Sequence, residues 1–241
     1  MRSFVIGDIH GALKALEQVL KRAKVRPDDQ LIFIGDYVDG WSDSANTISF
    51  LIELAQQNPC VFIRGNHDDL VAHWLKTREM NDTWLQHGGQ STLEAYRKVS
   101  EETVQSHLRF FEELTNYHID HKNRLFVHAG FSNIHGPQNE YDKYMLYWDR
   151  TLWEMALATD KNIPEDDVRY PKRLKLFDEI FIGHTPTVRI NKTKPVNAMN
   201  VWNVDTGAAF KGRLSMMDVD SKEVFQSEPV HLLYAGEKGR N

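Results

Sequence analysis

The chain has 241 residues, of which 41% are hydrophobic and 26% charged, so it is long and apolar enough to bury a core and disorder is not indicated. Its formal net charge of −5 argues against general nucleic-acid binding, because phosphate backbones select basic surfaces. The single cysteine, Cys60, excludes an intrachain disulfide. No secretory signal and no apolar run of ~18 residues is recognisable, so we expect a cytoplasmic protein without membrane contact.

The first third of the chain predicts strands that alternate with helices. Short apolar runs at residues 4–6, 31–34 and 61–63 are typical of strands buried on both faces. Between these runs, apolar residues recur at helical spacing over residues 13–23 and 48–55. Strands connected by helices in this way predict parallel pairing with right-handed crossovers.

The middle of the chain predicts mainly helix over residues 69–123, which we interpret as a helical insertion near the mouth of a site. Residues 91–94, Ser-Thr-Leu-Glu, fit a capping box that would start a helix after Gly88 and Gly89. Two further buried strands are predicted at residues 125–127 and 180–182.

The end of the chain returns to strand-like patterns at residues 201–204, 214–219 and 224–226. Residues 220–222, Asp-Ser-Lys, predict a hairpin turn between the last two. We expect these late segments to build a second sheet packed on the first. Because no linker or repeat is visible, the whole of residues 1–241 is predicted to be one domain.

Five short polar motifs each follow one of the predicted buried strands. Open α/β sheets bind ligands at the carboxyl ends of their strands, where all of these motifs would lie. A single motif of this kind is typical of an exposed turn, but five in the same local context favour a shared site. The motifs are Gly7-Asp8-Ile9-His10-Gly11, Gly35-Asp36-Tyr37-Val38-Asp39-Gly40, Gly65-Asn66-His67-Asp68, His128-Ala129-Gly130 and Gly183-His184-Thr185.

The residue types in these motifs predict a pair of metal ions. Carboxylate, imidazole and amide ligands without thiolate suit manganese, iron, zinc or nickel. Asp36 is the candidate bridge, because one carboxylate can offer an oxygen to each of two cations. Asp8 and His10 would point the same way on a regular strand, so only a bend or a loop could re-aim one of them. Two adjacent metal ions are a known device for splitting phosphate esters.

The order of the five motifs resembles that of the calcineurin-like metallophosphoesterase superfamily. It is most similar to the phosphoprotein-phosphatase branch, which includes bacterial serine/threonine phosphatases and symmetrical diadenosine-tetraphosphate hydrolases. The resemblance extends from Asp8 to His184, which is most of the chain. It implies an α/β (α+β) fold in which two packed mixed β-sheets are flanked by helices, as a four-layer sandwich with a helical insertion.

The resemblance also implies a role for each candidate site residue. Manganese is the expected metal, with iron, zinc and nickel as alternatives. A hydroxide between two divalent or trivalent metal ions would attack phosphorus in line, and His67, oriented by Asp39, would protonate the leaving oxygen. Asp36 would belong to both metal sites. The implied ligands are Asp8, His10 and Asp36 for one metal and Asp36, Asn66, His128 and His184 for the other, and the implied phosphate-binding residues are Arg64 and Arg150.

The second motif departs from the pattern of the branch. Phosphatases of this branch have Asp-Arg-Gly there, and the arginine binds phosphate, whereas this chain has Asp39-Gly40-Trp41. Arg150 and Arg189 are the candidate substitutes. Trp41 could stack on a substrate, although a tryptophan in a loop more often packs against the protein itself.

Three functions are compatible with these residues. The leading interpretation is a serine/threonine protein phosphatase that acts on a phosphoprotein or on a small phosphorylated substrate. The alternative is a symmetrical bis(5'-nucleosyl)-tetraphosphatase, which would bind a dinucleoside polyphosphate. A non-catalytic binding module on the same scaffold is disfavoured, because such a module would be expected to have lost some of the ligands, or His67 and Asp39.

Overall fold

A computed structural model describes residues 2–240. Its strands, in chain order, are β1 (Ser3–Ile6), β2 (Gln30–Phe33), β3 (Cys60–Phe62), β4 (Tyr117–Ile119), β5 (Arg124–Val127), β6 (Glu179–Ile182), β7 (Val196–Ala198), β8 (Val201–Asn203), β9 (Ser215–Asp218) and β10 (Val224–Gln226). Its α-helices are α1 (Leu13–Ala23), α2 (Ser44–Leu54), α3 (Asn66–Thr77), α4 (Asp82–Trp84), α5 (Gln90–Tyr96), α6 (Glu101–Glu112), α7 (Met145–Trp148), α8 (Thr151–Ala158) and α9 (Val230–Leu233). Among these residues no helix is long and apolar enough to cross a membrane.

The first sheet has the strand order β10-β9-β1-β2-β3. Strands β1, β2 and β3 are parallel, and α1 and α2 connect them, which confirms the predicted alternation of strand and helix. Helix α1 forms because Leu16, Val19 and Ala23 repeat at helical spacing and bury one face. The helix ends at Lys24, whose left-handed backbone lets its N–H reach the carbonyls of Leu20 and Lys21.

The second sheet has the order β4-β5-β6-β8-β7, and β5, β6 and β8 are parallel. The expectation that the three late segments build this sheet was therefore wrong for two of them. Strands β9 and β10 form the predicted hairpin, but β9 pairs antiparallel with β1 of the first sheet. Strand alternation in the sequence shows which residues are buried but not which distant strand they pair with.

The two sheets pack face to face, and helices cover their outer faces. Alternate residues of each strand point to opposite faces, so Phe4 and Ile6 contact the outer helices while Val5 faces the second sheet. From the second sheet, the ring of Phe126 stacks on that of Phe181 with centroids 4.8 Å apart in the same inner layer. This arrangement is the predicted fold of two mixed sheets flanked by helices.

Residues 69–123 contain most of α3 and the helices α4, α5 and α6, as predicted, but also the edge strand β4. The connection from α4 to α5 runs over Leu85–Gly89 and contains a kink, because His87 and Gly88 do not have helical backbone angles. The predicted capping box was wrong, because α5 already begins at Gln90, so Ser91 lies inside the helix. The hydroxyl of Ser91 instead donates to the carbonyl of Gly88.

Candidate functional site

The five polar motifs converge where the strand ends of the two sheets meet. Three motifs follow β1, β2 and β3 of the first sheet, and two follow β5 and β6 of the second. The sheets approach so closely here that a Cβ atom on Gly183 would lie 2.1 Å from Oδ1 of Asp8. Residues from four of the five motifs line a cavity of about 570 Å³, and the motif at residues 128–130 lies behind them.

Four of the polar residues at this junction have left-handed backbone conformations. Such conformations cost a non-glycine residue about 1–3 kcal/mol and are concentrated at functional sites. One of the four, His10, forms the bend after Asp8 that the sequence predicts. The four residues are His10 (φ 53°), Asp36 (φ 55°), Asp39 (φ 69°) and His184 (φ 64°).

The first cluster of possible metal ligands contains Asp8, His10 and Asp36. Nδ1 of His10 donates to the carbonyls of Val38 and Asp39, at 3.1 and 2.9 Å, which fixes the proton on that nitrogen. The lone pair of Nε2 therefore faces the carboxylates, with Oδ2 of Asp36 at 3.4 Å and Oδ2 of Asp8 at 3.9 Å.

The second cluster contains Asp36, Asn66, His128 and His184. Nδ1 of His128 donates to the carbonyl of Ile34 at 2.7 Å, so its Nε2 carries a lone pair. That lone pair faces Oδ1 of Asn66 at 3.2 Å and Oδ2 of Asp36 at 3.5 Å. Nδ1 of His184 lies 2.9 Å from the same Asn66 oxygen. Oxygen and nitrogen atoms grouped this closely suit a cation held among them.

The electrostatics of both clusters favour cations. Burial lowers the pKa of His10, His128 and His184, so these imidazoles are neutral and can act as ligands. Burial, together with the nearby Asp205 and Asp36 carboxylates, holds the pKa of Asp8 well above its usual range. Oδ1 of Asp8 and Nε2 of His184 are buried without a hydrogen-bond partner. Ligand atoms of His10, Asp36 and His67 lie close enough together to hold one metal ion, and those of Asp36, His128 and His184 could hold a second, so Asp36 is common to both groups. Asp8 lies beside the first group, with its Oδ2 at 3.9 Å from Nε2 of His10.

A buried His–Asp pair lies beside the clusters. Nδ1 of His67, in the first turn of α3, donates to Oδ2 of Asp39 at 2.6 Å. Two residues that the sequence did not indicate also bind this carboxylate: Nε1 of Trp84 donates to Oδ2 at 2.7 Å, and the hydroxyl of Thr92 donates to Oδ1 at 2.6 Å. Trp84 is buried, and this bond satisfies its indole N–H.

Asp68, which closes the third motif, fixes the loop that carries Asp36. It is fully buried, and its Oδ2 accepts from the backbone N–H groups of Asp36 and Gly65, at 2.7 and 2.8 Å. Its Oδ1 accepts from the N–H of Tyr37 at 2.9 Å. One carboxylate therefore joins the second and third motifs. The sequence signal for it was only its place in Gly65-Asn66-His67-Asp68.

We expect Asp68→Asn to destabilise the protein by about 1–3 kcal/mol, because its amide group cannot accept from all three N–H groups and leaves one unpaired. Metal content after loading with Mn²⁺ should fall as the loop shifts. Urea unfolding and elemental analysis measure both effects. The matched control is Asp69→Asn, because the carboxylate of Asp69 is partly exposed and pairs with Arg64. This substitution should lower the free energy of unfolding by less than about 1 kcal/mol. Equal stability of the two variants would contradict this role.

The structure brings one of the two predicted phosphate-binding arginines to the cavity. Arg150 lines it, together with Arg189 and with Arg240, which the sequence did not indicate. Arg64 does not line this cavity: its guanidinium donates to the carbonyl of Phe111 at 3.0 Å and lies 3.4 Å from Asp69. A phosphate contact from Arg64 would require it to leave both partners.

Two further cavity residues fall outside the predicted set. Asp205 lies in the cavity wall just after β8, and burial raises its pKa to about 6. Trp148 lies at the cavity with 44% of its surface exposed, next to the ring of His184. Trp41, by contrast, is fully buried and does not line the cavity, so the packing interpretation of this residue is the one that the structure supports.

Comparison with known proteins places these observations in a family. The family model for calcineurin-like phosphoesterases matches residues 1–210. The chain is 28% identical to the asymmetrical bis(5'-nucleosyl)-tetraphosphatase PrpE of Anoxybacillus flavithermus, over 98% of this chain and 97% of that protein. It is 27% identical to the protein of the same name from Oceanobacillus iheyensis, over 92% of this chain and 90% of that protein.

Two solved structures share the fold. The crystal structure of a putative diadenosine tetraphosphatase superposes with a TM-score of 0.60 at 19% identity, over 93% of this chain and 92% of that one. A serine/threonine phosphatase from Saccharomyces cerevisiae superposes with a TM-score of 0.62 at 16% identity, over 95% of this chain and 80% of that one. At these identities the likeness concerns the fold alone.

Proposed function

Because the chain belongs to the calcineurin-like phosphoesterase family, and is therefore a metal-dependent hydrolase, we propose that it cleaves the polyphosphate chain of dinucleoside tetraphosphates. One observation carries the choice of substrate. Arg150, Arg189 and Arg240 line one cavity, and within residues 2–240 no carboxylate oxygen lies within 4.0 Å of their guanidinium nitrogens. Unpaired guanidinium groups suit a ligand that carries several phosphates.

The charges on these arginines act on one another. Burial, followed by the positive charge of Arg189, lowers the pKa of Arg150, and Arg240 lowers it further. Three cations that repel each other in one cavity are stabilised when a polyanion binds between them. A single phosphoserine would neutralise less of this charge than a tetraphosphate chain.

The cavity also offers aromatic surface for a base. Trp148 is 44% exposed, and Phe210 lines the same cavity. Stacking of a nucleobase on an aromatic side chain is worth about 1–3 kcal/mol. The relatives named as asymmetrical tetraphosphatases support the same substrate class and favour unequal cleavage over the symmetrical cleavage considered from the sequence.

The proposed mechanism assigns each polar group a task. Metal ions held by the two clusters would activate a water molecule and neutralise charge on the phosphoryl oxygens. A doubly protonated His67 would keep the Nδ1 proton in its bond to Asp39 and would transfer the Nε2 proton to the departing phosphate oxygen. Trp84 and Thr92 keep the Asp39 carboxylate in place for this task. The arginines that line the cavity would bind the phosphates of the substrate.

A serine/threonine phosphatase remains the second candidate, because the metal clusters and the His67–Asp39 pair would serve a phosphate monoester equally well. Manganese stays the predicted metal. Diadenosine tetraphosphate and a phosphoserine peptide, assayed side by side with Mn²⁺, test the choice. We expect a higher kcat/KM for the dinucleotide and the products ATP and AMP. Two molecules of ADP would indicate symmetrical cleavage, and faster turnover of the peptide would overturn the proposed substrate.

A further inference from the structure

Residues 230–240 dock on the loop that follows the second motif. The ring of Tyr234 stacks on Trp41 with centroids 5.4 Å apart, and its hydroxyl donates to Asp43 at 2.7 Å. The carboxylate of Glu237 accepts from the backbone N–H and the hydroxyl of Ser42, at 3.0 and 2.8 Å. The part of the second motif that departs from the family pattern is therefore the surface that receives this segment.

Arg240, near the end of the segment, runs through a groove formed by two glycines. Gly40 and Gly88 have φ of 128° and 110°, which are conformations that favour glycine. A Cβ atom on Gly88 would lie 3.0 Å from Cγ of Arg240, and one on Gly40 would lie 3.3 Å from it. A side chain at either position would take the space that the stem of Arg240 occupies.

The backbone and the ring of a neighbour fix where the guanidinium of Arg240 lies. The N–H of Arg240 donates to the carbonyl of Ala209 at 2.9 Å, and its guanidinium carbon lies 5.6 Å from the centre of the Phe210 ring. The guanidinium reaches the first ligand cluster, with Nη1 at 3.5 Å from Nε2 of His10. Its Nε is buried and has no hydrogen-bond partner.

We propose that Arg240 contacts the phosphate of the substrate and takes the place of the arginine that is absent at Gly40. This inference rests on the proposed phosphoester hydrolysis but not on which substrate is cleaved. A cation bound by His10 and the guanidinium of Arg240 would repel each other unless an anion lies between them. A phosphoryl group meets this requirement, because one oxygen can face each cation.

The other two arginines are less suited to this contact. Nη1 of Arg150 already donates to the hydroxyl of Thr185 at 3.3 Å, and neither Arg150 nor Arg189 has a described hydrogen bond to a residue of the two ligand clusters. Arg240 has a buried donor still free and lies against the clusters themselves. We therefore assign the attacked phosphate to Arg240 and the remaining phosphates to Arg150 and Arg189.

The test compares Arg240→Ala and Arg240→Lys with the unchanged protein, all loaded with Mn²⁺. Calorimetric titration with inorganic phosphate gives Kd, and hydrolysis of p-nitrophenyl phosphate gives kcat and KM. We expect Arg240→Ala to raise Kd and KM by about 10- to 100-fold, because a hydrogen bond to a charged group is lost. Arg240→Lys should restore only part of this, since lysine keeps the charge but not the forked donor geometry. Metal content and melting temperature should not change.

The matched control is Arg169→Ala, which also removes one positive charge but whose guanidinium is exposed and pairs with Asp167. The control should leave Kd and KM unchanged. Unchanged Kd and KM in Arg240→Ala would overturn the assignment. If the unchanged protein binds phosphate but hydrolyses no phosphoester, the proposed function fails, while the calorimetric comparison still decides the role of Arg240.

Discussion

Replacing Asp36 by asparagine should lower kcat/KM by about 10³-fold or more. Oδ2 of Asp36 lies within 3.5 Å of both His10 and His128, so its charge serves both ligand clusters. Metal ions contribute several kcal/mol of charge stabilisation to phosphoryl transfer, and each 1.36 kcal/mol is a tenfold change in rate. An amide at position 36 keeps the size of the side chain but removes the charge shared by the two sites.

Elemental analysis after loading with Mn²⁺ should find less metal in Asp36→Asn than in the unchanged protein. The unchanged protein, stripped with a chelator, should lose activity and regain it with Mn²⁺, whereas the stripped variant should not. The hydrogen bond from the backbone N–H of His67 to Oδ1 at position 36 should survive the substitution, because the asparagine oxygen can still accept it. The position of His67 should therefore not change in the variant. Full metal content together with full activity in the variant would refute the assignment of Asp36 to both sites.

Replacing His67 by asparagine should lower kcat by about 10²–10⁴-fold on a substrate with a poor leaving group, which is the usual contribution of a general acid. The loss should be much smaller with p-nitrophenyl phosphate, because p-nitrophenolate departs without a proton. Metal content should remain that of the unchanged protein. This dependence on the leaving group separates proton donation from a structural role of the ring.

Asp39→Asn should give a smaller loss of about 10- to 100-fold, as expected for a partner that orients a functional imidazole. His73→Asn is the matched control, because His73 is exposed on the same helix and its ring pairs with Glu79. It should have the activity of the unchanged protein. An equal loss with both leaving groups in His67→Asn would exclude His67 as the proton donor.

The candidate ligands could be predicted from the sequence because each one lies within a few residues of a strand end. Asp8 and His10 follow β1, and His184 follows β6, so local patterns were enough to bring them to one edge. The partners of Asp39 could not be predicted in this way. Trp84 lies 45 residues further along the chain and Thr92 lies 53, and only the folded chain brings them to its carboxylate.

Arg240 illustrates the same limit at a larger sequence separation. The sequence showed that an arginine was missing at Gly40 and suggested Arg150 or Arg189, which are closer to recognisable motifs. The groove between Gly40 and Gly88 is visible only when residues 230–240 are docked on it. Most strands were predicted for a related reason, since burial is a local pattern. The edge strands β4 and β7 were not predicted, and neither was the pairing of β9 with β1.

The meeting of two sheets at one set of ligands has a mechanical consequence. Asp36 follows a strand of the first sheet and His128 follows a strand of the second, so an ion bound to both would link the two sheets. Separating the two sheets on unfolding would then require release of the ion. The melting temperature would therefore rise with the free metal concentration. A mutation in the layer between the sheets, such as at the stacked rings of Phe126 and Phe181, would therefore weaken metal binding without changing a ligand.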